Sequence, residues 1–183
     1  MIIINDIINS KDKMLALAEE ASKDSDNFIN FEDRISGYLN YYTAIYEGEI
    51  VAMAGMFQSK YWNPKLVRVL DRTYYFKEAR SSALSFINEK DLKTTASTYF
   101  LPKQTKLALD KGLIPFYSIW GKKRRPALER QVERFNEKNE FKYVVLPGQY
   151  WTCNKPVDNS GMCWQNIAIL EQYKDVFDLP KQE

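Results

Sequence analysis

Between Ile50 and Phe57 both alternating sets of side chains are apolar or small: Val51, Met53, Gly55 and Phe57 on one side, Ile50, Ala52, Ala54 and Met56 on the other. A strand without a polar face is buried on both sides, so the sheet that contains it needs cover above and below. The strand before it, residues 41–46, joins it through Glu47-Gly48-Glu49, a compact turn that predicts an antiparallel hairpin. With 183 residues, 45% of them hydrophobic, burial can outweigh chain entropy without metal or disulfide staples.

The remaining elements follow from periodicity and punctuation. Residues 1–6 read as a short strand, and Ser10 caps a helix on which Met14, Leu17, Ala18 and Ala21 recur to about Ser22. A polar stretch leads to a second short helix with Ile35, Tyr38 and Leu39 on one face. Residues 67–76 form the third strand of the meander, its apolar run interrupted by Arg68, Asp71 and Arg72. Residues 77–100 read as an irregular insertion, in which 79–87 suit a helix and 94–100 have strand-like composition. Pro102 opens a helix that Gly112 stops, followed by a strand over 114–120. Pro126 opens the most amphipathic helix, ending near Asn139; a strand over 141–151 is broken by Pro147-Gly148, and a last strand covers 162–170. An antiparallel meander followed by strand-helix-strand crossovers predicts an α/β (α+β) domain. Its central sheet is mixed and mostly antiparallel, with helices on both faces, in a single domain over 1–170 with a polar tail over 171–183.

The absence of histidine removes Ser-His-Asp and Cys-His nucleophiles, histidine bases and His-ligated metal sites; no metal is expected. Two cysteines, Cys153 and Cys163, are too few for a Cys₄ site or a secreted disulfide scaffold, and Cys163 beside Trp164 reads as core. No window approaches 18 consecutive apolar residues and no leader is evident, so no membrane partner and a cytoplasmic location are expected. The net charge of +2 conceals local imbalance. Residues 10–33 carry three basic and seven acidic side chains, and residues 121–142 carry eight basic and four acidic ones.

Lys122-Lys123-Arg124-Arg125 precedes Pro126, placing cations where a helix N-terminus is already positive. Such charges repel the dipole by about 0.3–1 kcal/mol each unless an anion is bound, and free N–H groups at that place favour phosphate. Lys103 and Lys106 around Gln104 and Thr105 repeat the pattern at the preceding helix. Lys103, Gln104, Thr105, Lys106, Lys123, Arg124 and Arg125 are therefore the candidate phosphate-binding residues; the alternative is a solvated charge cluster. Asp71 is a candidate general base, set against a structural ion pair with Arg68 and Arg72, which would hold its pKa low. Tyr117 is a candidate proton donor, set against simple packing. Phe116, Trp120, Tyr143, Tyr150 and Trp151 near the basic run raise nucleic acid as a partner, without the strong overall positive charge such binding usually shows.

The element order, the hairpin Tyr46-Glu47-Gly48-Glu49-Ile50-Val51-Ala52, and Phe135-Asn136-Glu137-Lys138-Asn139-Glu140-Phe141 leading into a strand resemble the GNAT superfamily of acyl-CoA-dependent N-acetyltransferases. In that family the stretch is commonly Tyr-Glu-Lys-x-Gly-Phe at the end of the fourth helix. The resemblance implies acetyl-CoA or another acyl-CoA as co-substrate and a small-molecule or peptide amine as acceptor. The family's Q/R-x-x-G-x-G/A pyrophosphate loop is not matched: Arg80-Ser81-Ser82-Ala83-Leu84-Ser85 and Lys103-Gln104-Thr105-Lys106 stand at the two candidate places, and Asn136 stands where the family often has a Tyr acid. The expected function is an acyl-CoA-dependent N-acyltransferase. The alternative is a degenerate, non-catalytic domain of the same fold that binds a nucleotide, nucleic acid or protein partner.

Overall fold

The structure is a computed structural model that describes residues 4–46, 48–76, 95–152 and 162–175. The expected helix over 79–87, Cys153 and the end of the tail lie outside the described residues. The chain divides into two compact units, Met1–Gln58 with Val69–Gln104 and Ser59–Arg68 with Thr105–Glu183.

The first unit is built on strands β1 (Ile4–Ile8), β2 (Tyr38–Tyr46), β3 (Glu49–Phe57) and the Val69–Tyr75 part of β4 (Leu66–Tyr75), in that spatial order. β1, β2 and β3 are antiparallel neighbours. β3 is buried from Val51 through Phe57, as its two apolar faces require. One face receives helix α1 (Lys11–Ser22) and the 3₁₀ turns Asp26–Phe28 and Phe31–Gly37; Phe31 stacks on Tyr38 of β2 with ring centroids 4.7 Å apart. The other face receives Phe100 of helix α2 (Thr95–Asp110), packed with Ala44, Ala52 and Ala54.

Three expectations are corrected in this unit. The predicted helix carrying Ile35, Tyr38 and Leu39 is a 3₁₀ segment that ends at Gly37, and Tyr38 and Leu39 already belong to β2. Residues 95–100, strand-like in composition, are helical. Pro102 is consequently not a helix start but an interior residue of α2. Phe100 and Leu101 are fully buried, and their burial outweighs both the β propensity of the Thr and Tyr residues and the hydrogen bond that Pro102 cannot donate.

In the second unit, Leu66–Arg68 of β4 pairs in parallel with Ile114–Phe116 of β5 (Ile114–Trp120), the only parallel ladder among the described strands. β5 pairs antiparallel with β8 (Met162–Leu170). The opposite edge of β8 is shared by β6 (Tyr143–Val145) and β7 (Gln149–Thr152), separated at Pro147-Gly148 as the sequence predicted. Gly148 is required there because a Cβ would come within 2.6 Å of the Trp164 ring. Helix α3 (Arg125–Lys138) buries Leu128, Val132 and Phe135. Cys163 is buried, as expected of a core residue, but it is disulfide-bonded rather than a thiol.

Asn136, at the position where related sequences often place a tyrosine, has a structural task. Its Nδ2 donates to Tyr143 O and its Oδ1 accepts from Tyr143 N, both at 2.8 Å, tying α3 to the first residue of β6. Tyr143 in turn packs edge-on against Phe135, and its hydroxyl meets Thr105 Oγ1 at 2.7 Å. Replacing Asn136 by Ala should lower stability by about 2 kcal/mol, about 1 kcal/mol for each hydrogen bond, read as a shifted urea midpoint at unchanged slope. An unchanged midpoint would show that the clamp carries no net stability.

Candidate functional site

Within the first unit, β4 is bent by its own backbone. Leu70 and Arg72 have φ of 57° and 47°, the left-handed region, although neither is glycine. Each such residue costs about 1–3 kcal/mol, and strain of this kind persists where surrounding contacts enforce it, often at functional sites. Gln104 supplies the main contacts. Its Oε1 accepts the Leu70 N–H at 2.8 Å and its Nε2 donates to Ala54 O of β3 at 2.9 Å, while Thr73 Oγ1 donates to Leu70 O at 3.0 Å.

Asp71 stands between the two left-handed residues and is buried. Its carboxylate accepts a hydrogen bond from the Tyr38 hydroxyl. Gly55 lies beneath this pair: a Cβ there would meet Tyr38 Cε1 at 2.8 Å, Asp71 O at 2.9 Å and the Tyr41 ring at 3.0 Å, so only glycine lets β3 approach. The Tyr38 ring is stacked between those of Phe31 and Tyr41, at 4.7 and 5.2 Å, with Phe57 edge-on at 5.1 Å. Two cations border the group: the Arg34 guanidinium lies 4.1 Å over Phe57, and that of Arg72 lies 5.9 Å from the Phe31 centroid. Burial, reinforced by the Asp71 charge, pushes the Tyr38 hydroxyl far above the usual phenol range, and the cations of Arg72 and Arg34 offset this only in part. Tyr41 is shifted upward too, by burial and then by Tyr38 and Asp71. The result is an enclosed carboxylate whose neighbouring phenols keep their protons.

In the second unit, Tyr117 of β5 is buried. Its ring meets Tyr143 edge-on at 5.5 Å, and its hydroxyl has no hydrogen-bond partner among the described residues. Burial, and secondarily Tyr143, raises its pKa strongly, so it holds a proton available for donation. Arg68 is also here, its guanidinium 4.9 Å over Trp62 and 5.8 Å from Phe116.

The predicted phosphate-binding residues separate into three groups. Lys103, Gln104, Thr105 and Lys106 lie in the interior of α2, not at its start, which removes the helix-terminus argument for them. Gln104 and Thr105 are wholly buried and already hydrogen-bonded. The Lys103 ammonium lies 4.3 Å from the Tyr99 centroid, its pKa lowered by burial, and Lys106 is exposed. Arg125 also has structural partners: its Nε donates to Glu129 Oε1 at 2.9 Å and its Nη1 to Leu146 O at 2.8 Å. Lys123 and Arg124 are exposed on the 3₁₀ turn Lys122–Arg124 that leads directly into α3, as the charge run predicted. Tyr38, Gly55 and Arg34 were not singled out from sequence. The signal available for Tyr38 was its place just ahead of the predicted hairpin strand, and helical spacing obscured it.

Two outcomes test this description. Gln104→Leu removes the partner of both Leu70 N–H and Ala54 O, and should cost about 2–4 kcal/mol in denaturant unfolding. A loss below about 0.5 kcal/mol would mean that the bend in β4 holds itself. The second concerns alkaline pH. Tyr38, Tyr41, Tyr75, Tyr117 and Tyr143 all have pKa values raised above the ordinary 10.0, chiefly by burial. The unfolded chain therefore releases these protons first, and stability is complete below pH 10 and falls as pH rises above it. Tyrosinate absorbance from these rings should appear together with loss of the circular dichroism signal; ionisation of all twelve tyrosines before unfolding would contradict their burial.

No family model matches the chain, and no curated protein matches it. Solved structures do. The ribosomal-protein-S18-alanine N-acetyltransferase from Escherichia coli aligns with a TM-score of 0.52 at 10% identity, over 91% of this chain and 93% of that one. A protein of the GNAT family from Desulfovibrio desulfuricans aligns with a TM-score of 0.51 at 12% identity, over 93% and 99%. A Salmonella typhimurium protein solved with its cofactor acetyl-CoA gives 0.51 at 12%, over 98% and 99%. Each alignment spans nearly the whole of both chains. The mixed sheet, the bent fourth strand and the helix that follows it are therefore those of a GNAT-like acetyltransferase fold.

Proposed function

We propose that this chain is an acyl-CoA-dependent N-acyltransferase acting on an amine. The observation that carries the reading is the strained segment of β4: within a GNAT-like fold, two left-handed non-glycine residues bracket a buried carboxylate. In the reaction the amine nitrogen attacks the thioester carbonyl, the acyl group passes to nitrogen and the CoA thiolate leaves. The amine must lose a proton and the thiolate must gain one, so the protein has to supply an acceptor, a donor and orientation.

Asp71 is the proposed acceptor. Tyr38 holds its carboxylate by a hydrogen bond, and the aromatic cover excludes water from it. Tyr117 is the proposed donor, because its buried hydroxyl retains its proton and has no protein partner. Lys123 and Arg124 fit the phosphates of CoA: both are exposed cations at the start of α3, where backbone N–H groups also favour an anion. Lys103, Gln104, Thr105, Lys106 and Arg125 are not carried forward, for the placements given above. The acceptor is proposed only as an amine, on a small molecule or a peptide.

Acetyl-CoA at 100 times its Kd should add about 2.7 kcal/mol to the unfolding free energy and raise the melting temperature accordingly. Lys123→Gln with Arg124→Gln should weaken CoA binding about tenfold and leave unliganded stability unchanged or slightly raised, since both charges oppose the helix dipole. Asp71→Asn should lower thiol release from acetyl-CoA in the presence of an amine about a hundredfold while acetyl-CoA still binds. No thermal shift with acetyl-CoA, together with a shift on adding an oligonucleotide, would overturn the reading in favour of a non-catalytic binding domain.

A further inference from the structure

In the first unit, a groove of about 440 Å³ runs between α1 and the two 3₁₀ turns, lined by Leu15, Ala18, Glu19, Phe28, Phe31 and Glu32 among others. This is within the size range of small-ligand sites. Its floor is apolar and fixed: Ala18, Phe28 and Phe31 are each 3% exposed, and the rings of Phe28 and Phe31 lie 6.0 Å apart. Ile29 on its wall is 55% exposed, an apolar side chain left to water. The two charged lining residues are both carboxylates. No described cation pairs with either one. The nearby cations have other partners: Lys23 bonds Glu20 at 2.6 Å, Lys11 donates to the carbonyls of Ile35 and Tyr38, and Arg34 lies over Phe57. The groove also belongs to the stretch 10–33, with seven acidic and three basic side chains.

We infer that this groove binds a primary ammonium carried on an aliphatic chain. The carbon chain covers Ala18, Phe28, Phe31 and Ile29, removing apolar surface from water, while the ammonium lies against Glu19 and Glu32 and gains from the aromatic faces. A neutral aliphatic ligand would make the first contact and forgo the second; an anion would be repelled. The inference concerns binding alone and does not depend on acyl transfer.

The probe is n-hexylammonium, titrated into the intact chain without acyl-CoA and followed by backbone amide chemical shifts. The shifts should concentrate at residues 15–22 and 28–32. n-Hexanol, which keeps the chain and lacks the charge, should bind more weakly. Glu19 and Glu32 are exposed, so Glu19→Gln with Glu32→Gln should keep the fold. This variant should weaken hexylammonium binding about two- to tenfold, with little change for hexanol. Equal affinity for hexanol and hexylammonium, undiminished binding to the double variant, or shifts absent from these two segments would each overturn the inference. None of these results would bear on whether the protein binds acetyl-CoA.

Discussion

The side-chain amide of Gln104 is the contact on which the first unit's architecture turns. A strand that passes through the left-handed region twice cannot keep its ladder bonds in register, and every displaced N–H or C=O in a buried sheet needs another partner. Gln104 has both a donor and an acceptor on one planar group, and from α2 it closes Leu70 N–H of β4 and Ala54 O of β3 together. No apolar residue could do this. A carboxylate of similar size would offer only acceptors, and the Ala54 carbonyl would face a charge rather than a donor. The bend in β4 is therefore set by a residue distant in sequence, and it fixes where Asp71 stands.

Around Asp71 the protein uses neutral hydroxyls where many enzymes use imidazole. With no histidine in the chain, a buried carboxylate can be stabilised only by phenols, cations or backbone. Tyr38 donates directly, Tyr41 and Phe31 enclose the Tyr38 ring, and Arg34 and Arg72 lie against the outer aromatic faces. Gly55 admits the whole arrangement by having no side chain. The same low-dielectric surroundings that keep the phenols protonated strengthen the bond they donate.

Elements whose cause is local were legible in the sequence. The two apolar faces of β3, the Ser10 cap of α1, the apolar stripe of α3 and the Pro147-Gly148 break each stated its own structure, and the strands at Ile114–Trp120 and Met162–Leu170 lie where read. The failures share a different cause. Pro102 looks like a helix start because proline is favoured there, yet Phe100 and Leu101 extend the helix backward by burying themselves, a tertiary effect with no local mark. Gln104 and Thr105 were assigned to phosphate by proximity to lysines, whereas their polar groups are used inside the protein. Asp71 was visible as a polar interruption of a strand, but its partner Tyr38 was not, since the pairing spans 33 residues.

A net charge of +2 misrepresents what this surface does. The acidic excess at 10–33 surrounds an apolar-floored groove in the first unit, and the basic excess at 121–142 begins on the exposed turn ahead of α3 in the second. Summed over the chain the two nearly cancel, which is why composition alone points to no charged partner. Binding responds instead to the charges within reach of a ligand, because screening in salt limits exposed charges to roughly 8–10 Å. An ammonium ligand and a phosphate-bearing one are thus each offered a complementary surface by a chain that, averaged, favours neither.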